Sequence, residues 1–312
     1  MLDVASKAFF QALSHSQNLK RLASRYGMRG RRSFARRFIA GETLEDAIAA
    51  VRQLEAQGLR HTLDHLGESV PTLEGSERCT REYLGLIEDV ARAGVERNIS
   101  LKLTQLGLDV DRATCTENLQ RILAAADRHE FFVRIDMESS AYTESTLSIF
   151  ETVWRLGSRR VGVVLQSCLY RTDADVERMN AIGARVRLVK GAYREPKSAA
   201  FQRKADVDAA YLEQAKRLLA EGTYPAIATH DETIIAEVKQ FAAAQAIGPD
   251  RYEFQMLYGI RRDLQSSLVA EGYRVRVYVP FGREWFPYFM RRLGERPANV
   301  GFVLRSLLSE KQ

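Results

Sequence analysis

From Gly58 onward the chain alternates between short strand-like runs and longer helical patterns, and this alternation limits the folds open to it. Eight strand-like runs occur, at Leu59–Leu66, Ile99–Gln105, Phe131–Met137, Val161–Gln166, Arg185–Lys190, Pro225–Thr229, Tyr252–Met256 and Arg274–Val279. Between them lie amphipathic segments at Thr80–Glu96, Thr116–Arg128, Glu144–Leu156, Asp173–Ile182, Asp206–Ala220, Glu232–Ala244 and Arg262–Glu271. Strict β-α alternation implies parallel strands joined by crossover helices. Eight such units in about 250 residues point to a (β/α)8 TIM barrel. A doubly wound open sheet is the alternative, but no glycine-rich phosphate fingerprint follows an early strand.

Helices are expected ahead of the barrel. Asp3 is a candidate cap for a helix reaching about Leu22, and Thr43-Leu-Glu-Asp46 reads as a capping-box-like start. Leu44, Ile48, Val51 and Leu54 then form an apolar stripe that Gly58 ends. The expected division is a helical segment over 1–57 and a catalytic barrel over 58–312.

Active sites of such barrels sit at the C-terminal ends of the strands. Those ends read Asp64 and His65, Lys102 and Gln105, Asp136 and Glu138, Gln166, Arg187 and Lys190, Thr229, His230 and Asp231, Gln255, and Tyr278. Apolar residues and loop glycines would serve a purely structural barrel there. Lys102 alternates with Leu101 and Leu103, so it faces away from them, toward the barrel mouth, where Asp136 is a candidate partner. An exposed sheet edge is the plainer place for a single strand lysine. In Val186–Tyr193, Arg187 and Lys190 bring positive charge, and Gly191 and Ala192 permit close backbone approach, which suits a flat, redox-tunable cofactor. His230 ends a strand as a donor to a cofactor or as a structural histidine. The five histidines show no HExxH spacing, so no metal site is expected.

The last strand, Arg274–Val279, is followed by a helical stretch in which Tyr288, Arg291, Arg292 and Glu295 share one face, extended by Trp285. Pro280 and Gly282 are expected to stop the strand. A solvated face with Glu295 on an arginine is the plain reading. Two adjacent guanidinium forks can instead grip one carboxylate, with Glu295 orienting a fork.

Composition sets the outer limits. The 312 residues are 46% hydrophobic and 28% charged, which is ordinary for a globular protein. No apolar run approaches the roughly 20 residues that span a bilayer. The N-terminus lacks the apolar core of a secretory signal, and three cysteines without CxxC spacing suggest free thiols, so a cytoplasmic location is expected. The net charge is +6, with much of the excess in Lys20–Arg37. Such an arm could touch nucleic acid or an anionic membrane, but no nucleic-acid motif is present.

Seven motifs together resemble the proline dehydrogenase family, in its short monofunctional bacterial type: SLKLTQLG at 100–107, RIDME at 134–138, LQSCLYR at 165–171, RLVKGAYREP at 187–196, ATHDE at 228–232, FQMLYGIR at 254–261 and YVPFGREWFPYFMRRL at 278–293. The resemblance implies a distorted (β/α)8 barrel holding FAD and oxidising L-proline to Δ1-pyrroline-5-carboxylate, the first step of proline catabolism. Hydride would go to flavin N5 and electrons to a membrane quinone. It implies Arg291, Arg292 and Lys102 on the proline carboxylate, with Tyr278 and Leu257 walling the ring. Asp136 would organise the site, and Arg187 would lie by the flavin N5 edge. Met137, Gln166, Lys190, Gly191, Ala192, Thr229, His230 and Gln255 would contact FAD. Further partners implied are a separate pyrroline-5-carboxylate dehydrogenase downstream and peripheral contact with the inner membrane face, and no nucleic acid. Where some members follow the arginine pair with Glu-Asn, this chain has Glu295-Arg296-Pro297-Ala298-Asn299. From residue chemistry alone, two rivals stand: a Schiff-base lyase using Lys102 or Lys190, and a basic nucleic-acid-binding protein.

Overall fold

A computed structural model describes residues 35–67 and 69–295. The expected helix from Asp3, most of the arginine-rich arm and the turn after Glu295 lie outside these residues. Before the barrel come a 3-10 turn (Ala35–Arg37) and helix α1 (Leu44–Glu55). Thr43 caps α1, its Oγ1 accepting the Asp46 amide at 3.2 Å. The stripe residues Val51 and Leu54 are buried.

Eight parallel strands then alternate with helices: β1 (Arg60–His65), α2 (Leu73–Ala93), β2 (Asn98–Leu101), α3 (Arg112–Arg128), β3 (Phe132–Ile135), α4 (Thr143–Arg155), β4 (Val161–Gln166) and α5 (Thr172–Ala181). The second half is β5 (Arg185–Val189), α6 (Lys204–Glu221), β6 (Ala226–Ala228), α7 (Glu232–Ala244), β7 (Glu253–Leu257), α8 (Arg262–Ala270), β8 (Val275–Phe281) and α9 (Trp285–Glu295). The strands neighbour one another in chain order, and β8 pairs back onto β1 from Arg60↔Arg276 to His65↔Phe281. That closure decides for the barrel over the open sheet.

The alternation within each strand sorts side chains into two layers. Leu63, Ile99, Leu101, Val133, Ile135, Val163, Leu188, Val277 and Val279 belong to one apolar core shared with the surrounding helices. The opposite face of the same strands points into the barrel, and it is polar.

Four boundaries differ notably from expectation. The second strand ends at Leu101, and Leu103–Leu106 form a 3-10 turn closed by Gly107 at φ +100°. Thr104 and Gln105 hold that turn, Thr104 Oγ1 donating to Glu138 Oε2 at 2.8 Å and Gln105 Nε2 donating to the His65 carbonyl at 3.0 Å. Strand β8 continues through Pro280 to Phe281. Past Tyr258 strand β7 no longer flanks it, and the Pro280 carbonyl instead accepts the Ala40 amide at 2.9 Å, so the missing proline donor disrupts no ladder. Helices α2 and α3 begin earlier than predicted because Thr72 and Asp111 cap them.

Helix α9 lies in a second cluster, with Trp285, Phe286, Tyr288, Phe289, Met290 and Leu293 packed against Ala35, Phe38, Ile39 and Leu66. The segment before the barrel and the helix after it thus share one core. Gly259 lets the loop after β7 join them, since a Cβ there would stand 1.7 Å from the Arg37 carbonyl oxygen.

Candidate active site

Five strands send charged or hydroxylic groups to one point inside the barrel mouth. Lys102 follows β2, and its Nζ lies 3.3 Å from Asp64 Oδ1 of β1 and 3.9 Å from Asp136 Oδ2 beyond β3. Lys102 was expected to pair with Asp136; the nearer carboxylate is Asp64. Lys102 keeps extended backbone just past β2, between neighbouring strands β1 and β3, so its amine reaches both carboxylates. Asp136 has closer partners of its own. Arg187 Nη1 of β5 and the Tyr278 hydroxyl of β8 each donate to it at 2.7 Å. The Arg187 guanidinium also donates to Gln255 Oε1 at 2.6 Å and to Ser100 Oγ at 3.1 Å. One arginine therefore joins β2, β3, β5 and β7, which only an inward-pointing side chain can do.

This group is nearly dry: Asp64 is 0% exposed, Arg187 5%, Lys102 7% and Asp136 9%. Two cations and two carboxylates balance within it, as buried charge requires. Burial pushes the Asp64 carboxyl above its ordinary value, with the Asp136 charge adding and Lys102 opposing. Burial and the two carboxylates hold the Tyr278 phenol well above its ordinary value, so it remains a hydrogen-bond donor.

A second tier lies below, toward the strand N-termini. Gln255 Nε2 donates to Glu253 Oε1, and Arg276 grips Glu253 at 2.7 and 3.1 Å. Burial alone would raise Glu253, yet Arg276 and its other donors bring its carboxyl down to about 2. Sequence reasoning assigned no role to Asp64, Ser100, Glu253 or Arg276. The signal was present: each stands two residues from a chosen residue or ends a strand, and period two puts Ser100 with Lys102, Glu253 with Gln255 and Arg276 with Tyr278.

The remaining predicted residues surround this centre. Gln166 closes β4 with its Oε1 buried and lacking a hydrogen-bond partner among the described residues. Gly191 sits at φ +109°, and a Cβ there would stand 2.4 Å from Cys168 Sγ. Ala192 beside it is exposed, while Met137 and Thr229 are buried and Leu257 is half-buried. Lys190 is salt-bridged to Asp208 at 2.6 Å and Asp231 at 2.9 Å, so the positive rim expected from it is locally neutralised. Burial opposes the Asp231 charge, yet Lys190 and Lys204 hold its carboxyl below the usual range. His230 Nε2 accepts the Leu257 amide at 2.9 Å, which leaves the ring proton on Nδ1.

The polar face expected on α9 is partly interior. Trp285, three and seven residues before Tyr288 and Arg292 on that face, is fully buried and donates to Glu42 Oε1 at 2.9 Å. Tyr288 and Arg292 are buried, with the Arg292 guanidinium 5.1 Å from the Tyr288 ring centre, and Arg291 is half-buried. The Glu295 side chain lies outside the described residues. Tyr278 packs against the same cluster, so α9 sits beside the centre. Among the described residues no cluster of His, Cys, Asp or Glu could hold a metal ion, and no helix is long and apolar enough to cross a membrane.

The family model "Proline dehydrogenase" matches residues 47–305. Over 302 residues the chain is 42% identical to "Proline dehydrogenase 2" of Bacillus subtilis (strain 168), covering 97% of this chain and 98% of that protein. Identity to "Proline dehydrogenase" of Deinococcus radiodurans is 44% over 283 residues, 88% of this chain and 90% of the other. Among solved structures, proline utilization A (PutA) from Bdellovibrio bacteriovorus, inactivated by N-propargylglycine, superposes with a TM-score of 0.78 at 26% identity. That match covers 83% of this chain and 32% of the much longer PutA. The chain belongs to the proline dehydrogenase family.

Proposed function

We propose that this protein catalyses the first step of proline catabolism, the FAD-dependent oxidation of L-proline to Δ1-pyrroline-5-carboxylate. The observation that carries the proposal is the buried group of Asp64, Lys102, Asp136, Arg187 and Tyr278 at the strand C-termini, within a proline dehydrogenase chain. Residues 58–312 are the catalytic barrel in this reading, and 1–57 a helical segment, of which Ala35, Phe38 and Ile39 share a core with α9.

The residues present fit a flavin. Gln166 offers a buried amide oxygen without a partner among the described residues, and Gly191 just past the end of β5 leaves space between Cys168 and Gln166 that a Cβ would fill. Met137, Gln166, Arg187, Lys190, Gly191, Ala192, Thr229, His230 and Gln255 would hold FAD. Bound there, FAD supplies the hydride acceptor at N5 and the route for electrons to a membrane quinone.

The chain's own residues bind and orient proline. Arg291 and Arg292 supply two guanidinium forks for its carboxylate, and Lys102 adds a third cation. Tyr278 and Leu257 wall the ring. Asp136, held by Arg187 and Tyr278, fixes the geometry around Lys102. Lys102, Arg187, Arg291 and Arg292 against Asp64 and Asp136 leave net positive charge. That charge favours a bound carboxylate and disfavours the ammonium form of the amine, which must be neutral before its neighbouring C–H can leave as hydride. Buried Trp285, Phe286 and Phe289 make α9 an apolar cover that keeps water out.

The Schiff-base alternative loses ground on geometry. A lysine nucleophile is activated by apolar or cationic surroundings, whereas Lys102 and Lys190 each lie within 4 Å of two carboxylates. The product would pass to a separate pyrroline-5-carboxylate dehydrogenase. Peripheral contact with an anionic membrane surface would bring the protein to its quinone.

The test is the visible spectrum of the purified protein before and after L-proline under anaerobic conditions. A flavin spectrum that bleaches supports cofactor, substrate and reaction together. A protein that stays colourless and cannot be reconstituted with FAD rules the reading out.

A further inference from the structure

The opposite end of the barrel, where the strands begin, holds a cavity of about 620 Å³. Six arginines line it: Arg60, Arg97, Arg160, Arg185, Arg274 and Arg276. Only two carboxylates, Glu96 and Glu130, line it with them, so positive charge exceeds negative. Five of the arginines already bond within the protein. Arg60 and Arg276 meet Glu96, Arg97 and Arg160 meet Glu130, and Arg274 donates to the Asp250 carbonyl. Arg185 differs. Its guanidinium carbon lies 5.1 Å from the Phe132 ring centre and 4.6 Å from the Tyr224 ring centre. No hydrogen bond or ion pair to that guanidinium occurs among the described residues. Two aromatic faces thus flank a fork whose donors meet no acceptor among the described residues.

The backbone around it is strained. Glu130 (φ +59°) and Tyr224 (φ +47°) are two of the five described non-glycine residues in the left-handed region, and both line this cavity. Strain in non-glycine residues collects where a ligand is clamped. Burial disfavours the Arg185 cation, and the Glu253 charge, Tyr224 and the opposing Arg276 and Arg60 leave it below its ordinary value, a cost that an anion would offset.

The geometry points to a second binding site, remote from the reaction centre, for a small multivalent oxyanion gripped by Arg185 and flanked by the other five arginines. The anion presents planar or tetrahedral oxygen pairs to the fork, as a phosphate or a polycarboxylate does. A flat proline-sized zwitterion lacks the charge to balance this surplus.

The test uses the full-length protein at fixed ionic strength, titrated separately with inorganic pyrophosphate and with citrate, and read by calorimetry and by the unfolding midpoint. A single saturating site is expected, weakened about tenfold or more in Arg185→Gln, the cost of one charge-assisted hydrogen-bond pair. The control Arg217→Gln, on α6, should bind as the unaltered protein does. Tighter pyrophosphate assigns a phosphate ligand, and tighter citrate a polycarboxylate. Should Arg185→Gln fail to fold, Arg160→Gln at the exposed rim should still weaken binding severalfold. Absence of saturation by both anions, or saturation that neither arginine variant alters, overturns the site.

Discussion

The Tyr278 hydroxyl donates to Asp136 Oδ2 at 2.7 Å, while Arg187 Nη1 donates to the other oxygen of the same carboxylate at 2.7 Å. Strands β8 and β5 thus fix both oxygens of a group standing just past β3. Replacing Tyr278 with Phe keeps the ring wall and removes one donor. The expected result is a fall in kcat/KM for proline of roughly tenfold, the value of one hydrogen bond to a charged group. Steady-state kinetics with an artificial electron acceptor checks it, and an unchanged kcat/KM would separate this bond from the reaction.

Lys102 is the cation between Asp64 and Asp136. Lys102→Ala leaves two carboxylates buried at one point, and should cost roughly 3–5 kcal/mol of stability as well as raising KM for proline. Adding Asp64→Asn should restore much of the stability but not the KM, because it removes the stranded charge without replacing the carboxylate's cation. Urea unfolding of both single variants and the double variant makes the comparison.

Gly191→Ala faces two obstacles, the left-handed φ of +109° and the Cys168 sulfur 2.4 Å from the new Cβ. A loss of about 1–3 kcal/mol and weaker flavin retention are expected. Cys168→Ala in the same chain should recover part of the loss, by removing the sulfur but not the backbone strain. Thermal unfolding and the flavin-to-protein absorbance ratio read both effects.

Arg292→Lys keeps charge on α9 and removes the planar fork. KM for proline should rise about tenfold or more while kcat changes less, since a bidentate grip is lost and a point charge stays. Equal KM values in the two proteins would remove Arg292 from the carboxylate clamp.

Acid should weaken the fold through His61. Burial, with Arg276 nearby, lowers its imidazole from 6.5 to about 4. Below pH 6.5 the unfolded chain takes up a proton that the native protein refuses. Stability therefore falls as pH drops from 6.5 toward 4, by about 1.4 kcal/mol per unit from this group. Glu253, depressed from 4.5 to about 2, keeps its contribution down to about pH 4.5 and loses it between there and pH 2. Unfolding free energies at pH 7, 6 and 5 should show a shallower slope for His61→Leu, and an unchanged slope would assign the acid sensitivity elsewhere.

The barrel was legible in the sequence because β and α periods differ and the chain alternates them eight times. Strand β4 and helix α7 begin and end where periodicity puts them. The strand-end rule gathers Lys102, Asp136, Arg187, Gln255 and Tyr278 from the sequence alone, since period two and topology together dictate where such side chains point. Family motifs, which depend on local residue order, were equally readable.

Pairing and burial were decided only in three dimensions. Asp64 rather than Asp136 is nearest to Lys102, while Asp136 is held at both oxygens by Arg187 and Tyr278 from β5 and β8, strands distant in the chain. The face carrying Trp285, Tyr288 and Arg292 turns inward because α9 packs on Phe38, Ile39 and Leu66, residues far away in the chain. Lys190 loses its free charge to Asp208 and Asp231, which different helices deliver. The arginine-lined cavity at the strand N-termini follows the same principle, since its residues are scattered from Arg60 to Arg276 and meet only when the barrel closes. Periodicity is a property of neighbours along the chain, whereas charge balance and burial depend on which distant segments closure brings together.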